Sequence, residues 1–370
     1  MENFNGTSFE TTNFSLNEGY WNESNSTFEN HIANTVPQWF VQFYFVFAFF
    51  GSVTNLIYAI AILRSRRNGT LSLVLQLSVV DCILFYVTVI EIYIIQNKSW
   101  TFSTENCQLF SGMEILTNAL ITYLIICLNF HIISLWNLHK YEVQQENNPL
   151  TSCRDDSDEC LVTKNENSNR SVHIDYRKRR NDVSVVFPSI FTWFICISLS
   201  IPSFTLSTTL SIDQNYTICG IVDNFYGEIM QKLLLIFKIV IPLPLLIFSV
   251  ILLLLKICKT TKNQINTSLA NKFEEIRLLL IFCLMITVCF LLTSFQRHYF
   301  YINYFFELTF DKTVTSFRAP PLFNTHVDSR VNLYSSMLHY SSSSIRGSLY
   351  FYLVPKFRQL LRKKLFCYNI

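Results

Sequence analysis

Charge is what this chain lacks most. Asp, Glu, Lys and Arg make up only 15% of its 370 residues, half are apolar, and phenylalanine alone supplies 34. Soluble domains carry about a quarter charged residues, so an ordinary water-exposed fold is excluded and a membrane is the expected solvent. The formal net charge of +3 decides little, because it is the distribution of charge that orients a membrane chain. Lysine and arginine are missing altogether from the opening "MENFNGTSFETTNFSLNEGYWNESNSTFENHIANTVPQ", as is any apolar run. Without a basic start and an apolar centre, no cleavable secretory signal is expected. No internal repeat is visible, which argues against a transporter built of two halves. Nor do the apolar runs alternate with polar residues as membrane strands do, so a β-barrel is excluded. An intramembrane His/Asp/Glu cluster, metal-ligand spacing and a nucleotide-binding loop are also missing. No enzyme, metal, cofactor or nucleic-acid partner is therefore expected, and the lone His131 and His339 read as packed or interfacial side chains.

What is present is long apolar sequence. About 20 helical residues cross the ~30 Å hydrocarbon layer, and seven stretches qualify: Trp39 to Leu63, Leu71 to Ile95, Gln108 to Leu138, Val183 to Leu206, Met230 to Ile257, Ile276 to Phe300 and Val331 to Val354. Backbone groups in lipid must bond internally, so each reads as a helix, and the expected fold is an all-α membrane protein of seven transmembrane helices. The domain plan is an N-tail over residues 1–37, the helical domain over 38–354 and a cytosolic tail over 355–370. Basic residues gather in "RSRRNGT", in "DYRKRRND", at Lys256, Lys259 and Lys262, and in "KFRQLLRKK". These segments share one side of a seven-span chain, which puts the N-terminus outside and the C-terminus in the cytosol, as expected of a multi-pass protein of the plasma membrane. The sequons at Asn5, Asn13, Asn22, Asn25, Asn97 and Asn215 then fall outside and are the candidate glycosylation sites. Those at Asn68, Asn169 and Asn266 fall inside.

Of eleven cysteines, Cys82, Cys127, Cys196, Cys283 and Cys289 lie within the apolar stretches, where a small soft side chain packs. Cys107 stands at the outer mouth of the third stretch and Cys219 in the loop after the fourth. Both face the oxidising side, where a disulfide is expected that pins the loop over the helices. Cys153 and Cys160 read as free cytosolic thiols. The second inner loop, about 140–182, is polar and poor in apolar residues, so disorder is expected there. After the last stretch, Phe357, Leu360, Leu361 and Leu365 recur at helical spacing against Arg358, Arg362, Lys363 and Lys364, which reads as a short amphipathic eighth helix lying in the interface. Cys367 beside it is a candidate lipidation site.

Taken together, these features resemble a rhodopsin-like (class A) G-protein-coupled receptor. Asn55 in "GSVTNLIYAI" and Asp81 in "LSVVDCILF" stand where that family has its first-span Asn and second-span Asp. "WTFSTENC" reproduces the first outer-loop motif with Trp100, while Trp193 with Pro202, and Pro242 with Pro244, mark the fourth and fifth spans. The departures are as clear. The family's Asp-Arg-Tyr is replaced by His131-Ile132-Ile133, its Cys-Trp-X-Pro by Cys289-Phe290-Leu291-Leu292, and its Asn-Pro-X-X-Tyr by Arg346-Gly347-Ser348-Leu349-Tyr350. Lacking the proline, the sixth helix is expected to run straighter.

The resemblance implies an extracellular ligand and a heterotrimeric G protein as partners, with the bilayer as solvent. It also sets Asp81 opposite Arg346, across a cavity that in the family often holds sodium. A lone charge at that depth needs a partner, so a buried Asp81–Arg346 pair is expected, assisted by Ser342 and Ser343; snorkelling of Arg346 to the interface is the alternative. For the ligand, Glu114 lies two turns into the third stretch from Cys107, where amine receptors of the family hold an acid. Glu91, Lys238, Arg297 and Tyr340 sit in the outer halves of other stretches and complete the candidate binding set. The competing reading is that these ionisable groups pair only to hold helices together. The tail, the second outer loop and the long segment "ELTFDKTVTSFRAPPLFNTHVDSR" favour a peptide over an amine. Two other functions stay open: a receptor-like protein without G-protein coupling, and a chemosensory channel, whose N-terminus would lie inside.

Overall fold

Runs of Leu, Ile, Val and Phe uninterrupted by charge form helices here because each backbone N–H finds its acceptor within its own segment. The computed structural model describes residues 38–65, 68–97, 99–147, 183–213, 216–221, 225–262, 267–310, 329–353 and 358–359. Asn5, Asn13, Asn22, Asn25, Asn215, Cys153, Cys160 and Cys367 lie outside the described residues, as do most of the second inner loop and most of the expected amphipathic tail. Two compact units are present, 1–42 and 43–370. Only 38–42 of the first are described, as the opening of helix α1; the second carries the rest of α1, the other helices and both strands.

The elements in chain order are α1 (Gln38–Leu63), α2 (Gly69–Asn97), α3 (Thr104–Asn147), α4 (Val186–Leu206), strands β1 (Ser207–Asp213) and β2 (Tyr216–Ile221), α5 (Phe225–Leu235), α6 (Pro242–Lys262), α7 (Thr267–Phe310) and α8 (Ser329–Leu353). A π-helical turn, Ile236–Val240, joins α5 to α6, so that the two run as one helical rod. Six segments are long and apolar enough to cross a membrane, as in a multi-pass membrane protein: Gln38–Leu63, Gly69–Ile94, Thr104–Lys140, Val186–Leu206, Phe225–Lys259 and Glu274–Asn303. The seventh expected span differs. It is a helix, α8, but Ser335, Ser336, His339, Ser342, Ser343, Ser344 and Arg346 dilute its apolar content. All seven of these side chains are buried, while Tyr334, Leu338, Phe351 and Tyr352 are exposed. Its polar face thus turns inward against other helices.

Two helices outrun the hydrophobic pattern. α3 and α7 each continue for 44 residues, because "KYEVQQEN" and "NKFEEIR" are good helix formers that extend a turn or more past the apolar run. α3 is the central helix: 72% of its apolar window is buried, against 28% for α4. α4's outward stripe of Phe187, Ile190, Phe191, Phe194 and Ile197 is exposed accordingly. The π turn has a local cause. Pro242 and Pro244 have no N–H to donate, and just ahead of them the ladder widens so that the Ile241 N–H reaches the Ile236 carbonyl at 3.0 Å.

Close contact between α1 and α8 depends on glycine. A Cβ added at Gly51 would collide with the Ser344 side chain, and one at Gly347 would stand 2.8 Å from Thr54 Oγ1. The approach lets Asn55 Nδ2 donate to the Ser343 carbonyl and hydroxyl at 3.2 and 3.3 Å. Small residues that bring backbones together are the usual source of helix adhesion where lipid removes the hydrophobic drive.

β1 and β2 form an antiparallel hairpin with Thr209 opposite Cys219. It lies at the N-terminal end of α3, joined there by the Cys107–Cys219 disulfide. The Trp100 backbone N–H donates to the Thr217 carbonyl at 2.6 Å, and the Thr104 and Thr209 hydroxyls meet at 2.9 Å. Trp100 is itself buried against Phe102 and Phe110.

Candidate functional site

α3 carries polar residues at helical spacing, Glu114, Asn118 and Thr122, in an otherwise apolar run. This stripe faces the other helices, and its first residue belongs to a group of charged and polar side chains drawn from four more elements. Arg297 of α7 bridges two carboxylates: its Nη2 donates to Glu114 Oε1 at 2.9 Å and its Nη1 to Glu91 Oε1, from α2, at 3.1 Å. Lys238, in the π turn, donates to Glu114 Oε1 at 2.9 Å and to the Tyr301 hydroxyl at 3.3 Å, with its ammonium 4.3 Å from the Tyr301 ring centre. Tyr340 of α8 donates its hydroxyl to Glu91 Oε2 and lies under the Arg297 guanidinium, while Ser336 donates to Glu91 Oε1 at 2.6 Å. The five expected binding residues, Glu91, Glu114, Lys238, Arg297 and Tyr340, are therefore one connected group.

The group is charge-balanced, two carboxylates against two cations, and that balance is what makes its burial tolerable. A second layer continues it. Asn118 donates to Glu114 Oε1 at 2.7 Å, its carbonyl meets His339 Nε2 at 2.9 Å, and His339 Nδ1 meets the Ser294 hydroxyl at 2.8 Å. Burial is uneven. Glu91 is fully buried, whereas the side chains of Glu114 and Lys238 each remain 13% exposed. Glu114 Oε1 takes three donors; among the described residues Oε2 takes none. The accessible edge of the group is thus the Glu114 carboxylate beside the Lys238 ammonium. This edge lies two turns along α3 from Cys107, on the side that carries the hairpin.

A second, smaller constellation lies deeper. Arg346 of α8 clasps Asp81 of α2 with a two-pronged contact, Nε to Oδ2 at 3.0 Å and Nη2 to Oδ1, and its Nη1 donates to Ser342 at 3.0 Å. Both residues are almost completely buried. Ser343, expected to assist the pair, instead accepts from Asn55 through its carbonyl and hydroxyl oxygens. Toward the other end of α3, Asn129 splits its amide between Ser249 of α6 at 2.9 Å and Thr287 of α7 at 2.8 Å.

Sequence reasoning passes over Asn118, Asn129, Tyr301 and Ser336 as functional residues. The first two carry a visible signal, an amide inside an apolar helix; the other two carry none, since Tyr and Ser are common in these spans. Trp193 donates its indole N–H to Gln76 of α2 at 2.9 Å, and Ser189 reaches the same oxygen at 2.6 Å, so this Trp ties α4 to α2. His131 meets the Thr70 hydroxyl at 3.2 Å and is packed. Asn97 ends α2 in an exposed position. Among the described residues no group of three His, Cys, Asp or Glu side chains is placed to hold a metal. No protein-family model matches this chain, and no curated protein sequence does either.

Proposed function

We propose that this protein is a seven-helix cell-surface receptor of the rhodopsin-like kind, with its N-terminus outside and its C-terminus in the cytosol. In this reading α8 is the seventh span, its polar face hidden among the other helices. The carrying observation is the buried group around Glu114. It joins α2, α3, the π turn, α7 and α8, and its partly exposed edge offers a carboxylate next to an ammonium. A ligand that brings a cation to Glu114 competes with Arg297 and Lys238 for that carboxylate, and one that brings an anion to Lys238 competes with Glu114 for that ammonium; either alters what holds α3 to its neighbours. Only a ligand that binds the altered arrangement more tightly can shift the population toward it. A peptide, with donors and acceptors along its backbone and charges at its ends, suits this mixed edge better than a simple amine does. The hairpin held by Cys107–Cys219 lies on the same side and would supply the wall against which a peptide rests.

A second reading has its own support. Ile132 and Phe290 are buried apolar side chains where the rhodopsin-like family places a G-protein-facing Arg and a switching Trp, and Arg346 is held by Asp81 where the family has Asn. A chain so altered could bind its ligand without driving a G protein.

Cells expressing the full chain, screened with a peptide library for calcium and cyclic-nucleotide responses and in parallel for ligand uptake, distinguish the two. The receptor reading expects a peptide whose potency falls at least tenfold in Glu114→Gln. A peptide that binds and is internalised with no second-messenger change selects the second reading. A chain that binds no peptide but conducts ions contradicts both.

A further inference from the structure

The apolar windows of two neighbouring segments, α3 and the α5–α6 rod, end at lysines, Lys140 and Lys259. These ends lie together. Lys256 of α6 donates to Asn137 of α3 at 2.7 Å, and its ammonium sits 4.2 Å from the ring centre of Trp136. Lys140 approaches the same indole at 5.7 Å. Lys259 follows Lys256 by three residues, the spacing that puts side chains side by side on a helix. Two cations from two helices thus meet at one buried indole, with a third, Lys259, one turn beyond Lys256, where the apolar sequence of both segments ends.

The face leading to them is equally specific. Ile247, Phe248, Ile251, Leu254 and Leu255 are exposed on α6 at three- and four-residue intervals, and the stripe runs out at Cys258 and Lys259. A ligand fitted to the whole arrangement has a long apolar body and an anionic head.

We infer that the joined ends of α3 and α6 form a binding site for the phosphate-bearing headgroup of an anionic phospholipid, with an acyl chain lying along the α6 stripe. Trp136 holds the lysines in place through its ring face, the favoured surface for an ammonium, and the lysines meet the phosphate. This needs only that the helices cross a bilayer and is independent of the receptor reading.

The test uses the full chain purified into discs of phosphatidylcholine doped with phosphatidylserine or with a phosphatidylinositol phosphate, with retained lipids counted by native mass spectrometry. Retention of the anionic lipid over phosphatidylcholine is expected. Juxtamembrane lysines each contribute about fivefold to such binding. Lys256→Gln should therefore cut retention by about that factor, and the triple Lys140→Gln, Lys256→Gln, Lys259→Gln variant by roughly a hundredfold. The triple arginine variant, which keeps the charge, should retain lipid and shows that any loss is not misfolding. Lys232→Gln, at the other end of the same rod, should change nothing. Equal retention by the triple Gln variant and the parent would overturn the proposal. So would displacement of the lipid by soluble inositol phosphate at matching concentration, which would make the ligand a free phosphate.

Discussion

The two buried charge groups are built from the same chemistry and put to different use. Around Asp81 there is one acid, one guanidinium and a serine, all but sealed, with the cation engaged through three nitrogens. Around Glu114 there are two acids and two cations from four elements, joined by Tyr340 of a fifth, with a partly exposed edge at Glu114 and Lys238. A closed pair has a single arrangement to prefer. A balanced set of four can trade partners without stranding a charge, which is the property a responsive site needs.

Breaking the closed pair should cost most. Asp81→Ala or Arg346→Ala leaves a buried charge without its partner, at about 3–5 kcal/mol, and surface expression and thermal stability in detergent should both collapse. Exchanging the two, Asp81→Arg with Arg346→Asp, should recover a large part; additive losses would show that the two residues do not act as a pair. Neutralising Glu114 should cost less. In Glu114→Gln, Lys238 loses its acid but keeps Tyr301, and Arg297 keeps Glu91, so about 1–3 kcal/mol of stability is expected to go. The thermal midpoint should fall between those of the parent and Arg346→Ala. A midpoint as low as that of Arg346→Ala would mean the outer group is as rigid as the inner one. The smallest effect belongs to the exposed Lys232–Glu228 pair, 2.6 Å apart on α5. Lys232→Ala should change the midpoint hardly at all, since such pairs contribute at most about 1 kcal/mol.

The physics of lipid decides which features are legible in the sequence. Asp81, Arg346, Glu91, Glu114, Lys238 and Arg297 announce themselves because a bilayer leaves a charge so few options. The hairpin does not, because "STTLSID" and "YTICGI" are short, lack a sustained alternation of apolar and polar residues, and take their strand form from pairing with each other beside α3. Helix length escapes a hydropathy reading at α3 and α7, where hydropathy stops and helix propensity does not. α8 reads as one more apolar run, yet its serines give it a buried polar face that only its neighbours could reveal. The π turn lies just before Pro242, whose missing N–H the sequence does announce, but the widened ladder itself is visible only in the backbone hydrogen bonds.

The most direct measurement concerns parity. Six helices meet the length and apolarity needed to cross a membrane, and α8 is the polar seventh. An odd number of crossings puts the two ends of the chain on opposite sides; an even number puts them on the same side. With one epitope at each terminus, the account predicts that the N-terminal tag is stained on intact cells and the C-terminal tag only after permeabilisation. Staining of both tags, or of neither, on intact cells would contradict it.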